Sequence, residues 1–261
     1  RSQARRYELS MTDRLRGAWL RKHLPTVRIQ VFARLGSTQQ KALHEVEDGR
    51  LTAPTLLVAS RQTAGHGQRT NLWWSDAGSL CATLVRPADP ALPMGQVPLR
   101  AGLAVAELLA ALLPGRAVQV KWPNDILVEG RKVAGLLCAR QRGLDIIGIG
   151  LNIGTQLRKA PAAIRANATS LALHLRHPPR RDELLIELWL ALDRAWADPD
   201  WKDHYHDRHV LVDRRIQIDD DGAVYAGMCR GVDDQGRLLL QSDGWLLVIT
   251  NGTVRGGPHV R

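Results

Sequence analysis

Two lysines and an aspartate stand close together in the sequence, and their side chains suit an anionic ligand. Lys121 and Asp125 lie on either side of a Trp-Pro-Asn turn, and Lys132 follows a hairpin turn at Glu129–Gly130. An ammonium group offers three donors and a full charge, so two of them on one face of a sheet would hold a carboxylate or a phosphate. This segment therefore predicts an anion site.

Glycines mark two further candidate binding elements. Gly65 and Gly67 occur in a polar loop over 62–72, where they would let the backbone approach an anion closely, although most such pairs are only turns. Gly148 and Gly150 alternate along an apolar strand, which leaves part of one face without side chains. That bare face fits a flat ligand or closely packed neighbours, so the glycines alone leave both interpretations open.

Hydrophobic periodicity predicts the elements that must position these residues. The predicted helices are 11–23, 36–46, 99–113 and 181–197. The predicted strands are 27–31, 55–60, 79–86, 117–122, 125–129, 132–139 and 144–153. Ser37 or Thr38 would cap the second helix, because a hydroxyl accepts from the free amides of the first turn. This order predicts an α+β domain with a mixed or antiparallel sheet and packed helices.

The character of the sequence changes after Leu211. Short strands are predicted at 215–218, 224–232, 238–241 and 246–250, with turns between them. Strands this short predict a small SH3-like β-barrel. We therefore divide the chain into an N-terminal extension with a short helix (1–25), a larger α+β domain (26–211) and a small C-terminal barrel domain (212–261).

Composition restricts the function classes. The chain of 261 residues carries a formal net charge of +10, which favours acidic partners, but it has no long Lys/Arg block and no nucleic-acid-binding motif. Cys81, Cys138 and Cys229 are odd in number and far apart, which argues against a disulfide framework or a zinc site. The sequence has no apolar run long enough to cross a membrane and no secretory signal. These features predict a cytoplasmic protein with reduced cysteines.

One stretch carries a family resemblance. The order Lys-Trp-Pro-Asn-Asp at 121–125, followed by Gly-Arg-Lys-Val-Ala-Gly at 130–135, resembles the core of the biotin protein ligases. The resemblance covers most of 26–256 and implies the biotin/lipoate ligase catalytic fold, which is similar to class II synthetases, with a C-terminal barrel. It also implies an activity: biotin and ATP form biotinyl-5′-AMP, and the biotinyl group then passes to a lysine of a carboxylase carrier domain.

The resemblance implies roles for particular residues. Lys132 matches the lysine that bridges the biotin carboxylate and the adenylate phosphate, and Lys121 and Asp125 complete the catalytic set, with Asp125 reaching Mg²⁺ through phosphate. The implied nucleotide-binding residues are Arg69, Trp73, Asn124 and Asn152. The implied biotin-binding residues are Ser37, Thr38, Gln39, Gln62, Gly65, His66, Gly67, Gln68, Gly135, Gly148 and Gly150.

The loop after Ala64 departs from the family pattern, which is Gly-Arg-Gly-Arg-x-Gly-Arg. His66, Gln68 and Asn71 stand where the family has arginines, and Arg69 is the only arginine left, at the family's variable position. Attack of a carboxylate on ATP brings two anions together, and a bidentate arginine stabilises that charge better than a neutral amide does. The altered loop therefore predicts weak retention of the adenylate, slow catalysis or no catalysis.

Two alternatives to a full ligase stay open. One is a catalytically weakened ligase-like protein that binds biotin or a related acid without efficient ligation, and the altered loop favours it. The other is a lipoate- or octanoyl-type transferase of the same broad fold, against which the Lys-Trp-Pro-Asn-Asp run and the terminal barrel argue. We expect no specific DNA binding, because residues 1–25 are too short for a helix-turn-helix domain, and the sequence leaves a homodimer open.

Overall fold

The computed structural model describes residues 14–69 and 71–255, and its larger sheet has seven strands. These are β1 (Arg28–Phe32), β2 (Thr55–Ala59), β3 (Ser79–Pro87), β4 (Val118–Lys121), β5 (Asp125–Val128), β6 (Arg131–Gln141) and β7 (Leu144–Asn152). Their order across the sheet is β1-β2-β3-β7-β6-β5-β4. β1 and β2 pair in parallel, whereas the other neighbours pair antiparallel, so the sheet is mixed as predicted.

The helices are those that the periodicity indicated, with two additions. They are α1 (Gly17–His23), α2 (Thr38–Glu47), α3 (Gln96–Leu112), α4 (Ala162–Asn167), α5 (Arg181–Ala197) and α6 (Trp201–Arg208). The short helices α4 and α6 were not predicted. Residues 11–13 of the first predicted helix lie outside the described residues. No helix in the described part of the chain is both long and apolar enough to span a membrane.

The helices cover both faces of the larger sheet, because successive strand residues point to opposite faces. On one face, Ala42 and Val46 of α2 pack with Leu57, Val85 and Ile146. On the other face, α3 packs against the sheet and against α5. α3 is buried nearly all round, as its Ala/Leu-rich sequence predicts. Gly148 and Gly150 of β7 lie on the same face of the sheet as Ile146, the face that α2 covers. Because both are glycines, no β7 side chain projects from this face next to the N-terminus of α2.

The C-terminal strands form an antiparallel sheet of five strands, which is consistent with the predicted SH3-like domain, although the barrel is not closed. The strands are β8 (Arg215–Asp220), β9 (Ala223–Val232), β10 (Leu238–Ser242), β11 (Trp245–Ile249) and β12 (Thr253–Arg255). Their order is β11-β10-β9-β8-β12, so β11 and β12 lie at opposite edges and do not pair. β12 is three residues long and was not predicted. It returns to β8 rather than to β11, and the five-stranded antiparallel sheet therefore stays unclosed.

The C-terminal sheet is fastened to the larger sheet close to the predicted anion site. The indole Nε1 of Trp122 donates to the carbonyl of Gly236 at 3.1 Å, and the side chain of Gln96 donates to the carbonyl of Asp234 at 2.6 Å. A Cβ at Gly95 would overlap the carbonyl of Gln235, so only glycine permits this approach. The contacts hold the second sheet against the turn that separates Lys121 from Asp125.

Candidate active site

A cavity of about 200 Å³ opens on the glycine face of β7, beside the N-terminus of α2. It contains most of the predicted site residues: Ser37, Thr38, Gln39, Gln62, His66, Gly67, Gln68, Trp73, Lys121, Asn124, Asp125, Lys132, Gly135, Gly148 and Gly150. Gly65, Arg69 and Asn152 do not line it. Residues 252–254 of the C-terminal sheet also line the cavity, and this contribution was not predicted.

The two alternating glycines of β7 form the floor of this cavity. A Cβ at Gly148 would lie 2.7 Å from Oε1 of Gln39, and a Cβ at Gly150 would overlap the indole ring of Trp73. The glycines therefore make room for two named side chains as well as for a ligand. A flat group does lie against this backbone, and it is the Trp73 ring.

A buried polar network closes the end of the cavity near α2. The backbone N–H and the hydroxyl of Thr38 both donate to Oε1 of Gln62, at 2.7 and 3.0 Å. The hydroxyl of Thr83 donates to Thr38 at 2.9 Å and to Gln39 at 3.3 Å. Gln39 also donates to the carbonyl of Ile146 at 3.2 Å, so both ends of its amide already have protein partners. Thr83 was not predicted, although a threonine inside the apolar strand β3 was a signal.

Ser37 has a structural role that the sequence indicated. Its hydroxyl accepts from the backbone N–H of Gln40 at 3.4 Å and so caps α2. The cap fixes where the helix begins. It thereby places Thr38 and Gln39, the first helical residues, at the end of the cavity.

The predicted lysines and aspartate meet at the other side of the cavity. Lys121 and Asp125 are opposite each other in the strand register of β4 and β5. Nζ of Lys132 lies 2.5 Å from Oδ1 of Asp125. The register between β5 and β6 shifts between Ile126 and Leu127, close to the point where the Lys132 side chain is directed towards Asp125. One carboxylate thus stands among two ammonium groups, which leaves the cluster one positive charge in excess.

Burial perturbs one member of this cluster. Desolvation lowers the pKa of the Lys121 ammonium below its ordinary 10.5, Asp125 counteracts that shift, and the charge of Lys132 adds to it. An anion in the cavity would stabilise the charged form of Lys121. The electrostatics therefore favour a ligand that brings negative charge to this point.

The turn between Lys121 and Asp125 is held from several sides. Asn124 donates through Nδ2 to the carbonyl of Leu136 at 2.6 Å and accepts from the backbone of Leu136 at 2.9 Å. The N–H of Trp122 donates to Nε2 of His209 at 3.4 Å. His209 is buried, and burial lowers its pKa to about 3, so its imidazole is a neutral acceptor. Asn124 lines the cavity, but its amide is engaged in holding the turn.

The loop after β2 folds into a small hairpin over the cavity. The N–H of Gly67 donates to the carbonyl of Asn71 at 2.8 Å, and the N–H of Trp73 donates to the carbonyl of Gly65 at 3.0 Å. A Cβ at Gly65 would lie 2.5 Å from the Trp73 carbonyl, so a glycine is required there. The hairpin directs His66, Gly67 and Gln68 towards the cavity. The backbone of Arg69 is left-handed (φ 54°), and its side chain reaches Asp220 and Asp221 of the C-terminal sheet instead.

A second, mostly apolar cavity of about 230 Å³ adjoins the first. Its walls include Trp74, Leu157 and Ile164, none of which was predicted, because segments that are far apart in the sequence meet to form this cavity. Trp73 and Lys132 line both cavities, so they lie at the junction. Nζ of Lys132 is 5.8 Å from the centroid of the Trp73 ring.

Asn152 lies on the wall of this second cavity rather than the first. Its Nδ2 donates to the carbonyl of Thr169 at 3.1 Å, and its Oδ1 accepts from the hydroxyl of Thr155 at 3.2 Å. The side chain is buried, so these bonds tie the end of β7 to the segment that precedes Leu171. Because Thr169 follows Ala168, this hydrogen bond helps to hold Ala168 in the wall of the second cavity.

The donor set fits a metal ion that arrives with a phosphate ligand. Within residues 14–69 and 71–255, no group of three or more His, Cys, Asp or Glu side chains could hold a metal by itself. Asp125 is a partly exposed carboxylate beside the cavity. One carboxylate with phosphate oxygens and water is an ordinary environment for Mg²⁺.

The site thus combines a polar cavity with two lysines at its wall and an adjoining, mostly apolar cavity, built on a mixed sheet. Residues 31–155 match the Biotin/lipoate A/B protein ligase family. Over 95% of this chain and 94% of the relative, the sequence is 32% identical to the biotin–acetyl-CoA-carboxylase ligase of Mycobacterium tuberculosis. The ligase of the same name from Paracoccus denitrificans is 32% identical over 81% of this chain and 93% of its own length. The chain therefore belongs to the biotin protein ligases, as the Lys-Trp-Pro-Asn-Asp run predicted.

Solved structures confirm the predicted fold. A biotin protein ligase from Aquifex aeolicus, in complex with biotin and ATP, superposes with a TM-score of 0.76 at 23% sequence identity. The match covers 87% of this chain and 98% of that one. A biotin acetyl coenzyme A carboxylase synthetase from Helicobacter pylori has a TM-score of 0.65 at 22% identity over 85% of this chain and 99% of its own.

Proposed function

We propose that this protein activates biotin with ATP to biotinyl-5′-AMP and transfers the biotinyl group to a lysine of a carboxylase carrier domain. Family membership supports the reaction class, and the names of the relatives supply the substrates. The observation that carries the proposal is the position of Lys132, which lines both the polar and the apolar cavity. A cation at that junction can contact a carboxylate on one side and a phosphate on the other.

In this proposal biotin occupies the polar cavity, with its ureido ring at the network of Thr38 and Gln62. Its side chain then runs over the glycines of β7 towards Lys132. The adenine ring occupies the apolar cavity, where Trp73 and Trp74 offer flat surfaces. The two reacting groups therefore meet beside Lys132, which brings them together in a productive orientation.

In the first step, a carboxylate oxygen of biotin attacks the α-phosphorus of ATP, and the bond to pyrophosphate breaks. Lys132 and Lys121 stabilise the negative charge that gathers on the phosphoryl oxygens. Asp125 would hold Mg²⁺ through the phosphates, and the ion would neutralise the departing pyrophosphate. In the second step, the amine of the carrier lysine attacks the acyl carbon, AMP leaves with the bonding electrons, and the amine loses a proton. No protein nucleophile takes part.

A weakened version of this function is the second candidate. His66 and Gln68 line the polar cavity where arginines would stand in the family pattern, so the loop lacks the guanidinium groups of that pattern at these two positions. Such a protein would bind biotin well but would form or retain the adenylate poorly. Biotin binding that does not respond to MgATP would favour this candidate.

We place the reaction in the cytoplasm, where ATP is available. The free, unpaired state of Cys81, Cys138 and Cys229 supports a reducing compartment. The basic surface, with its net charge of +10, would favour encounter with an acidic carrier domain.

Mass spectrometry of a carrier domain incubated with the protein, biotin and MgATP tests the proposal. We expect a gain equal to one biotinyl group, which is absent when ATP is omitted. Lys132→Ala should abolish the gain, and Lys202→Ala, on the surface of α6, should not. An unmodified carrier together with tight biotin binding would instead identify the weakened protein.

A further inference from the structure

Arg69 joins two parts of the molecule that are far apart in the sequence. Its Nη2 lies 2.8 Å from Oδ1 of Asp220, and its Nη1 lies 3.0 Å from Oδ1 of Asp221. Each carboxylate thus has its own nitrogen, and the guanidinium group spans the turn between β8 and β9. We call this pair of ion pairs the Arg69 clasp.

Both ends of the clasp belong to walls of the polar cavity. On one side, Arg69 follows directly after His66, Gly67 and Gln68, which line the cavity. On the other side, Asp220 ends β8, and β8 pairs with β12. Residues 252–254, in and just before β12, line the same cavity. The clasp therefore connects two segments that both contribute to the cavity wall.

The backbone holds the two ends of the clasp in tight turns. Arg69 and Asp221 both have left-handed backbone conformations, with φ values of 54° and 49°. The turn at Arg69 is closed by the N–H of Asn71, which donates to the carbonyl of Gln68 at 3.0 Å. Asp219 accepts from the backbone of Gly222 at 3.0 Å and steadies the other turn. The two turns therefore present Arg69 and the carboxylates to each other from defined backbone positions.

We propose that Arg69 is a positioning residue, which holds the loop over the cavity by binding the C-terminal sheet and makes no contact with substrate. This inference rests on the proposed function for its effect on substrates. The sequence pattern assigned Arg69 to the nucleotide, but its side-chain contacts support the clasp. The second sheet thereby takes part in retaining the ligand.

The composition of the loop increases the importance of the Arg69 clasp for ligand retention. Gln68 is a neutral amide where the family pattern has an arginine, so retention of an anionic intermediate depends on keeping the loop closed. The clasp is partly exposed, since Arg69 and Asp220 each retain over a third of their side-chain exposure. Exposed ion pairs contribute modestly and are screened by salt. Substrate affinity should therefore fall as salt rises, and part of that dependence should vanish without the clasp.

A charge exchange tests the clasp. One variant is Arg69→Glu, and another combines Asp220→Arg with Asp221→Asn, because asparagine tolerates the left-handed conformation. The third carries all three substitutions and restores one pair with reversed charges. Arg230→Glu is the matched control, because it breaks an exposed ion pair with Asp213 (2.5 Å) on the same sheet, outside the cavity wall.

Two measurements are made on every variant. Hydrogen–deuterium exchange of the ligand-free protein should accelerate in the 62–72 segment when either partner is changed, and should return towards the original rate in the triple variant. The KM values for ATP and biotin should rise about threefold to tenfold at low salt with a smaller change in kcat, as expected for two exposed ion pairs. The triple variant should recover most of that affinity, and Arg230→Glu should match the original protein.

The outcomes separate this inference from the proposed function. If the original protein makes no biotinyl-AMP, the proposed function is wrong. The clasp is then tested only by comparing the hydrogen-exchange rates of the variants. If it does make biotinyl-AMP, unchanged exchange in Arg69→Glu overturns the clasp. Faster exchange with unchanged KM overturns its positioning role. A triple variant as defective as the single one overturns the ion-pair explanation.

Discussion

Lys132 and Asp125 form an ion pair of 2.5 Å at the junction of two cavities, although neither side chain is fully buried. Asp125 restrains the lysine and offsets part of its charge. An arriving carboxylate or phosphate competes with Asp125 for the same ammonium group. Asp125 thus weakens the binding of biotin by Lys132, whereas its carboxylate is needed for the reaction with MgATP.

Asp125→Asn should affect the two substrates in opposite directions. Removal of the carboxylate leaves both lysines uncompensated, so biotin alone should bind more tightly, by about threefold to tenfold, for roughly 1 kcal/mol of exposed electrostatic interaction. Biotinyl-AMP formation should fall at least about tenfold, because the carboxylate that serves Mg²⁺ is lost. Calorimetry with biotin, followed by a single-turnover assay with MgATP, measures both. Weaker biotin binding would refute this role of Asp125.

Gly150→Ala should damage the cavity through Trp73. The added methyl group would overlap the indole ring, so the ring must move or the strand must shift, at a cost of about 1–3 kcal/mol of stability. Biotin affinity should fall as well, since the ring and the glycine face form one wall. Gly102→Ala is the control, because its Cβ would meet only a side chain at 3.9 Å and it lies within α3. Equal unfolding free energies for the two variants would count against this packing.

Gln68→Arg should strengthen retention of the adenylate. An arginine there would add a charge-assisted hydrogen bond to the phosphate, worth about 1.5–3 kcal/mol. We expect the release of biotinyl-AMP to slow by about tenfold or more. Gln40→Arg, which adds the same charge outside the cavity wall, controls for the general increase in basicity. Equal release rates in the two variants would show that the loop composition does not limit retention.

His209 should make the protein less stable in acid. Its folded pKa is about 3 and its ordinary value is 6.5, so between these values the unfolded chain binds a proton that the folded protein does not. The unfolding free energy should therefore fall as the pH drops below 6.5, by about 2 kcal/mol at pH 5. His209→Gln keeps an acceptor for Trp122 and should flatten this part of the profile. Urea unfolding at pH 5 and pH 7.5 measures it, and the same decline in both proteins would exclude His209 as its cause.

The sequence was informative where short-range patterns decide structure. The alternation and turn signals located β4 to β7 to within a few residues, and the amphipathic pattern of Arg181–Ala197 placed α5 at its observed bounds. The resemblance brought Lys121, Asp125 and Lys132 together in advance, because their motif lies within one pair of hairpins. These are local features, and local propensity and pairing suffice for them.

Contacts between segments that are far apart in the sequence could not be predicted from sequence patterns. Trp74 and Ile164 line the same apolar cavity although they are far apart in the sequence. The predicted barrel is an open sheet because β12 pairs with β8, a choice that strand propensity does not encode. The contacts of Arg69 with Asp220 and Asp221 join segments about 150 residues apart, and no spacing in the sequence indicates them.

The most direct test of the central claim is single-turnover formation of biotinyl-AMP, without a carrier, by Lys132→Ala. Loss of a preorganised cation at the reacting phosphate should slow this step by about 100-fold to 1000-fold, whereas the affinity for biotin alone should change far less. Lys41→Ala, on the surface of α2, should retain the original rate. Formation of the adenylate at the original rate by Lys132→Ala would contradict the assignment of Lys132 to the junction of the two substrates.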